Sequence, residues 1–249
     1  MPEFVKFLAF DTSTDRMSVA LTDGARVWRH SGPGGAQASS TLIPAILALL
    51  AESGLGLGEL DAIAFARGPG SFTGLRTACS VAQGLAFGAN HGAGIPVLPI
   101  DTLMAVAEEA RFQHTLAAAN AAPFVVTALL DARMDEIYLQ SYEFSSGSYR
   151  PVNRCSLIRP EDMVVDPPAR LLAGNVFGVY AGRLPAALAD LPCVEAFPPA
   201  TALLRLAPML AAAGQCVEAA LALPLYVRDK VAFTTDERAL TKANAALTS

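Results

Sequence analysis

The period of apolar and polar positions changes several times along the chain, and each change marks an element. V-K-F-L-A-F is an apolar run ending at Asp11, M-S-V-A-L-T alternates after a polar turn, and Gly24 separates it from A-R-V-W-R-H-S. This spacing predicts a three-stranded meander over residues 4–31. A glycine-rich loop, S-G-P-G-G-A-Q, follows. Ser39 or Ser40 is placed to cap a helix running to Glu52, with Pro44 near its first turn and Gly54 as its stop. A-I-A-F-A-R-G-P then reads as a buried strand, residues 73–87 as a helix, and I-P-V-L-P-I as another strand. Strands alternating with helices indicate a parallel portion of sheet.

The second half starts again with a strand. At a constant offset of 120 residues, L-A-F-D-T-S-T-D-R-M-S-V-A-L aligns with A-L-L-D-A-R-M-D-E-I-Y-L-Q-S, matching Asp11 to Asp131, Asp15 to Asp135, Met17 to Ile137 and Val19 to Leu139. S-Y-R-P-V-N-R-C-S-L-I supplies a third strand, residues 160–165 a short helix, and R-L-L-A-G-N-V a strand ending in glycine. Two similar halves, each a meander plus helices, are the actin and sugar-kinase type of architecture in small form. The predicted boundaries are a first lobe over 1–101, a second over 102–233 and a tail over 234–249. A helix over 201–213, with apolar spacing at Leu203, Leu204, Ala207 and Leu210, is expected to pack back toward the first lobe.

Composition narrows the function. With 249 residues, 53% of them apolar, the chain buries a large core. The apolar run at 45–51, with Leu42 and Ile43 before it, is shorter than the roughly 20 residues of a membrane span, and none is expected. The N-terminus shows no secretory signal pattern, so a cytoplasmic location is expected. Cys79, Cys155, Cys193 and Cys216 lie far apart without a C-x-x-C pair, against a disulfide scaffold or a zinc ribbon. Net charge is -5 and the 18 Lys and Arg are scattered, so any contact with RNA is expected to be indirect. His30, His91 and His114 form no i, i+4 pair for a metal, and no Ser-His-Asp or Cys-His arrangement emerges.

The segment A-R-G-P-G-S-F-T-G-L-R is the candidate site. It is neither a Walker A loop nor a G-x-G-x-x-G fingerprint. Two readings stand: a structural turn made by Gly68 and Gly70 with Ser71 or Thr73 as helix cap, or an anion cradle at a helix N-terminus. Within the helix, Gly74, Ala78, Ala82 and Ala86 recur at every fourth position, a bare ridge inviting close approach of another helix. The other helix, residues 42–51, is apolar on every face. One face then meets the sheet and another a partner protein, or the helix is buried between two layers of its own chain. Asp11 and Asp131 end the duplicated first strands, where this architecture turns to hold nucleotide phosphates. Asp11 is followed by T-S-T and Asp131 by A-R-M, so Arg133 and Met134 fill the phosphate space and no working ATP site is expected. The simpler role is an aspartate capping each tight turn, with Asp131 paired to Arg133.

L-A-F-D-T-S-T, the 66–88 segment, L-L-D-A-R-M-D-E-I-Y-L-Q-S-Y and P-L-Y-V-R-D-K-V-A together resemble the TsaB family, also called YeaZ, over residues 8–232. The resemblance implies an α/β, actin-like ATPase (ASKHA, ribonuclease H-like) fold of two duplicated lobes. It also implies a non-catalytic accessory subunit for threonylcarbamoyladenosine formation at tRNA position A37. That subunit pairs with the catalytic relative TsaD and with the small ATPase TsaE, while a separate enzyme makes threonylcarbamoyl-AMP. No cofactor and no metal are implied, and when alone the chain is expected to form a homodimer. Laid on the histidine pair of the TsaD family, I-P-V-L-P-I-D-T-L-M-A-V places Thr102 and Val106 at the metal positions. Where many TsaB members carry a histidine before the first long helix, this chain has Ala38. The expected partner-binding residues are Leu42, Ile46, Leu49, Ser71, Phe72, Gly74, Ala78 and Ala82. The competing reading is an ATP-dependent or metal-dependent enzyme of the glycoprotease, peptidase M22-like, superfamily.

Overall fold

The computed structural model of the chain describes residues 5–115, 124–145, 148–165 and 169–228. The tail at 234–249, and residues 229–232 of the last motif, lie outside the described residues. The strands are β1 (Phe7–Asp11), β2 (Arg16–Thr22), β3 (Val27–Pro33), β4 (Ala62–Gly68), β5 (Val97–Asp101), β6 (Phe124–Arg133), β7 (Glu136–Ser145), β8 (Ser148–Pro151), β9 (Ser156–Ile158), β10 (Leu171–Gly174) and β11 (Cys193–Glu195). The helices are α1 (Ala38–Ser53), α2 (Phe72–Gly88), α3 (Thr102–Thr115) and α4 (Ala200–Ala212).

Two sheets repeat one design. The first has strand order β3-β2-β1-β4-β5 and the second β11-β10-β6-β7-β8, with β9 also pairing β7. In each, the leading strand pairs antiparallel with the next strand and parallel with a later one: β1 with β2 and β4, β6 with β7 and β10. The two hairpins differ by one position in register at the duplicated aspartates: Asp11 lies opposite Ser18, whereas Asp131 lies opposite Ile137, the counterpart of Met17, next to an irregularity between Asp131 and Arg133.

Side-chain alternation along β1 decides the layering. Leu8 and Phe10 point to one face and join Leu42, Ile46, Leu49, Ala78 and Ala82 of α1 and α2. Phe7 and Ala9 point to the other, where Ala20, Ala62, Ala64 and Ala66 make a floor for α4 through Leu203, Leu206, Ala207 and Leu210. On the second sheet, α3 covers one face with Leu103, Val106, Ala107 and Ala110. Its other face is covered by Met163, Ala169, Val176 and Tyr180 from irregular segments. Helices α3 and α4 touch each other and lie between the sheets. There Glu108 is fully buried and accepts from Arg111 Nε at 2.7 Å, Arg205 Nε at 2.7 Å and Tyr149 Oη at 3.1 Å.

Several local expectations are corrected. Helix α1 begins at Ala38, so Ser39 and Ser40 lie inside it, donating to the carbonyls of Ala36 and Gln37 instead of capping it. Gly54, at φ 75°, ends it as expected. The third strand of the second lobe is split into β8 and β9, and the short helix after Pro160 is a single 3-10 turn at Pro160–Asp162.

Candidate functional site

The glycine loop is built to let two distant segments touch it, the turn at Thr12 and Ser13 and the chain at Leu225. Gly68, at φ 126°, lies against the Leu225 carbonyl, and Gly74 lies against the Thr12 carbonyl, so near in both cases that a Cβ would clash. A Cβ on Gly70 would meet Ser13 Cβ at 2.7 Å. Hydrogen bonds bind the same segments: Ser71 N donates to Ser13 O at 2.7 Å, and Thr12 Oγ1 donates to Gly74 O at 2.7 Å. Ser71 caps α2, its hydroxyl accepting from Gly74 N at 3.5 Å. The geometry is that of the structural turn: the loop's close approaches are made with its own chain.

Between the lobes lies a cavity of about 630 Å³, lined by Ser13, Thr14, Ser71 and Phe72 on one side and by Asp131, Arg133, Met134 and Asn175 on the other. Of the duplicated aspartates Asp131 lines this cleft and Asp11 does not, and the two are in different states. Asp11 is 1% exposed, and both of its carboxylate oxygens accept long contacts from Ser13 N, at 3.3 Å. Burial pushes its carboxyl up to about 7, against the downward pull of the Ser13 hydroxyl and amide. Asp131 is fully engaged: it accepts from Arg133 N at 2.8 Å and Tyr180 Oη at 2.8 Å, and pairs with Arg133 Nη1 at 3.1 Å. Arg133 and Met134 line the cleft at the second turn, where an actin-like nucleotide site needs small residues.

Thr102 and Val106, the residues at the histidine positions, are both fully buried on α3. Thr102 Oγ1 accepts from Gly68 N at 3.1 Å, and Val106 packs in the core of the second sheet. Among the described residues no group of three or more His, Cys, Asp or Glu is placed to share a metal ion.

The expected partner-binding residues divide. Leu42, Ile46, Gly74, Ala78 and Ala82 are buried, as is Leu49 at 5% exposure, all against the chain's own first sheet or first turn. The ridge of small residues serves close helix-on-sheet packing within the lobe, so it cannot offer itself to another subunit without unfolding. Ser71 and Phe72 are exposed. The outward face of α1 carries Ile43 and Leu47, 44% and 52% exposed, beside Pro44, Ala48 and Ala51, and Phe87 of α2 is 57% exposed. The polar ends of α1 held the missed signal: Ser40, Thr41 and Glu52 align by helical spacing with the outward side. An 18-residue window within residues 35–53 reaches a mean hydropathy of 1.2, long and apolar enough to cross a membrane, but one face of this stretch is core.

A family model described as TsaD, tRNA N6-adenosine threonylcarbamoyltransferase, matches residues 34–175. The tRNA threonylcarbamoyladenosine biosynthesis protein TsaB of Escherichia coli K12 is 31% identical over 239 residues, covering 92% of this chain and 97% of that one. The protein of the same name from Haemophilus influenzae Rd is 45% identical over 131 residues, 53% of this chain and 51% of that one, so this match spans about half of each. The solved structure of YeaZ from Pseudomonas aeruginosa covers 89% of this chain and 99% of its own at 37% identity, with a TM-score of 0.77. Two lobes of one strand order, meeting at a cleft between duplicated turns, define an actin-like protein of the ASKHA class. Within the family of the TsaD model, the chain belongs to the TsaB (YeaZ) family.

Proposed function

We propose that the chain serves threonylcarbamoyladenosine formation on tRNA as a non-catalytic, cytoplasmic accessory subunit. It binds and stabilises a TsaD-like catalytic partner, works alongside a TsaE-like ATPase, and meets tRNA only through them. The names of its relatives support the pathway. The observation that carries the accessory role is the uncovered apolar face of α1 and α2, where Ile43, Leu47 and Phe87 are each more than two-fifths exposed; Phe72, also exposed, packs beside the Tyr226 ring. A patch of this kind on a folded lobe marks a protein interface. The partner face is therefore Ile43, Leu47, Ser71, Phe72 and Phe87 in place of the buried positions read from the sequence. Without the partner, the same patch pairs with a second copy of the chain, because an isologous contact covers it twice. The cleft supports a role without a nucleotide or metal of its own, since Arg133 and Met134 take the phosphate turn.

Leu47→Asp with Ile43→Asp tests the reading. Both positions are exposed, so the thermal midpoint should stay near that of the native chain, while affinity for a TsaD-like partner in a calorimetric titration should fall by at least about thirtyfold. Unchanged affinity in the folded variant defeats the proposal.

A further inference from the structure

The chain after α4 returns along the first lobe and then crosses to the second. Val217 forms an antiparallel bridge with Val97 of β5, through hydrogen bonds of 2.9 and 2.8 Å. Ala222 is buried against α2, its carbonyl accepting from Gln83 Nε2 at 3.0 Å and Cys79 Sγ at 3.1 Å. Leu225 N then donates to Arg67 O at 2.7 Å. Tyr226 packs its ring on Phe72, centroids 5.1 Å apart, and its hydroxyl accepts from Arg76 Nε at 3.1 Å. All of these contacts lie on the first lobe.

Two residues later, Arg228 is held by the second. Its Nη2 donates to Glu136 Oε2 at 2.5 Å, Ala132 O at 3.1 Å and Arg133 O at 3.3 Å. The β6–β7 turn that it grips contains three successive non-glycine residues in the left-handed region, Arg133, Met134 and Asp135, with φ of 60°, 56° and 61°. Such a backbone persists only where its surroundings over-determine it. Arg228 supplies much of that determination, because a guanidinium stays charged, its Nη2 reaches two carbonyls and a carboxylate together, and its Nη1 lies 2.8 Å from Met134 Sδ. Arg183 adds a second hold through Asp135, at 2.6 Å.

We propose that residues 225–228 are a latch between the lobes: Tyr226 anchors the segment on the first lobe, Arg228 holds the strained β6–β7 turn of the second, and the span between them sets the width of the cleft. Only Val227 separates the two anchors, so a shift of one is passed to the other. The latch is a property of the isolated chain and does not depend on the proposed partner.

Hydrogen–deuterium exchange on the full chain tests it, comparing the native protein with Tyr226→Ala and Arg228→Lys. Tyr226 is 44% exposed, so its loss leaves the core intact. In both variants amides of residues 131–136 should exchange faster by about tenfold or more, with the β1–β2 turn and β10 unchanged and the thermal midpoint near native. The telling result is Tyr226→Ala, which acts on a turn in the other lobe. Acceleration confined to residues 72–76 overturns the latch, and so does a uniform rise across both sheets. An Arg228→Lys variant with native exchange in 131–136 overturns it equally.

Discussion

Asp11 and Asp131 hold the same place in two copies of one design, and their surroundings have made them opposites. The first is sealed under the α2 loop with a carboxyl pushed up to about 7. The second is partnered by an arginine, a tyrosine and a backbone amide at the mouth of the cleft. What differs is the element placed between the two parallel strands that follow. In the first lobe α2 connects β4 to β5 and presses its N-terminus onto the β1–β2 turn, whereas in the second the β10–β11 connection holds turns and one 3-10 segment, Ala186–Leu188, and leaves its turn open. Duplication preserved the backbone, and the packing around each copy set its chemistry.

The largest expected effect breaks this comparison on the α2 side. Ala78 is fully buried in the first core, so Ala78→Arg both overfills the site and strands a charge, at about 5 kcal/mol or more. Thermal unfolding should fall by on the order of 10 °C or more. The same residue introduced at Gly178, in the β10–β11 connection with nothing within 4 Å of a built Cβ, should move the midpoint by no more than about 0.5 kcal/mol equivalent. Equal effects at the two positions would show that α2 is not what distinguishes the lobes.

A smaller effect belongs to Asp11. Its folded pKa, about 7, lies above the ordinary 3.8, so the folded chain holds this proton more tightly than the unfolded one. The contribution is fully present near pH 4 and is lost as pH rises to about 7, by up to about 4 kcal/mol. Asp11→Asn mimics the neutral acid. Its denaturation midpoint relative to native should therefore rise between pH 4 and pH 8, and a flat difference would mean that Asp11 is ionised throughout. The smallest effect is at the other turn. The Arg133 side chain is 74% exposed, so a double-mutant cycle between Asp131 and Arg133 should return only about 0.2–1 kcal/mol, shrinking with salt.

Much of this was legible in the sequence. The 120-residue offset that aligns Met17 with Ile137 and Val19 with Leu139 corresponds to real equivalence, since all four side chains are buried on the second strand of their sheets. Ser71 caps α2, and Asp131 pairs with Arg133, as their spacing indicated. The sequence could not show which side of α1 meets the sheet, because Leu42 and Ile43 are equally apolar and only burial separates them. The small-residue ridge misled for a related reason: alanines permit close approach to a sheet as readily as to a helix. Nothing in the local pattern marked Arg228 as a partner of residues 132–136, a contact spanning more than ninety positions.

The covering of the first sheet by α4 also orders the birth of the protein. The strands of that sheet are complete by Asp101, yet the helix over its alanine floor is Ala200–Ala212, and Val217 and Ala222 follow later still. The second sheet draws its covering from α3, made just before it, and from segments interleaved with its own strands. On a chain emerging from the ribosome the alanine face of the lobe encoded first therefore waits bare for contacts of long sequence separation, while α3 reaches the second sheet from the segment just before it.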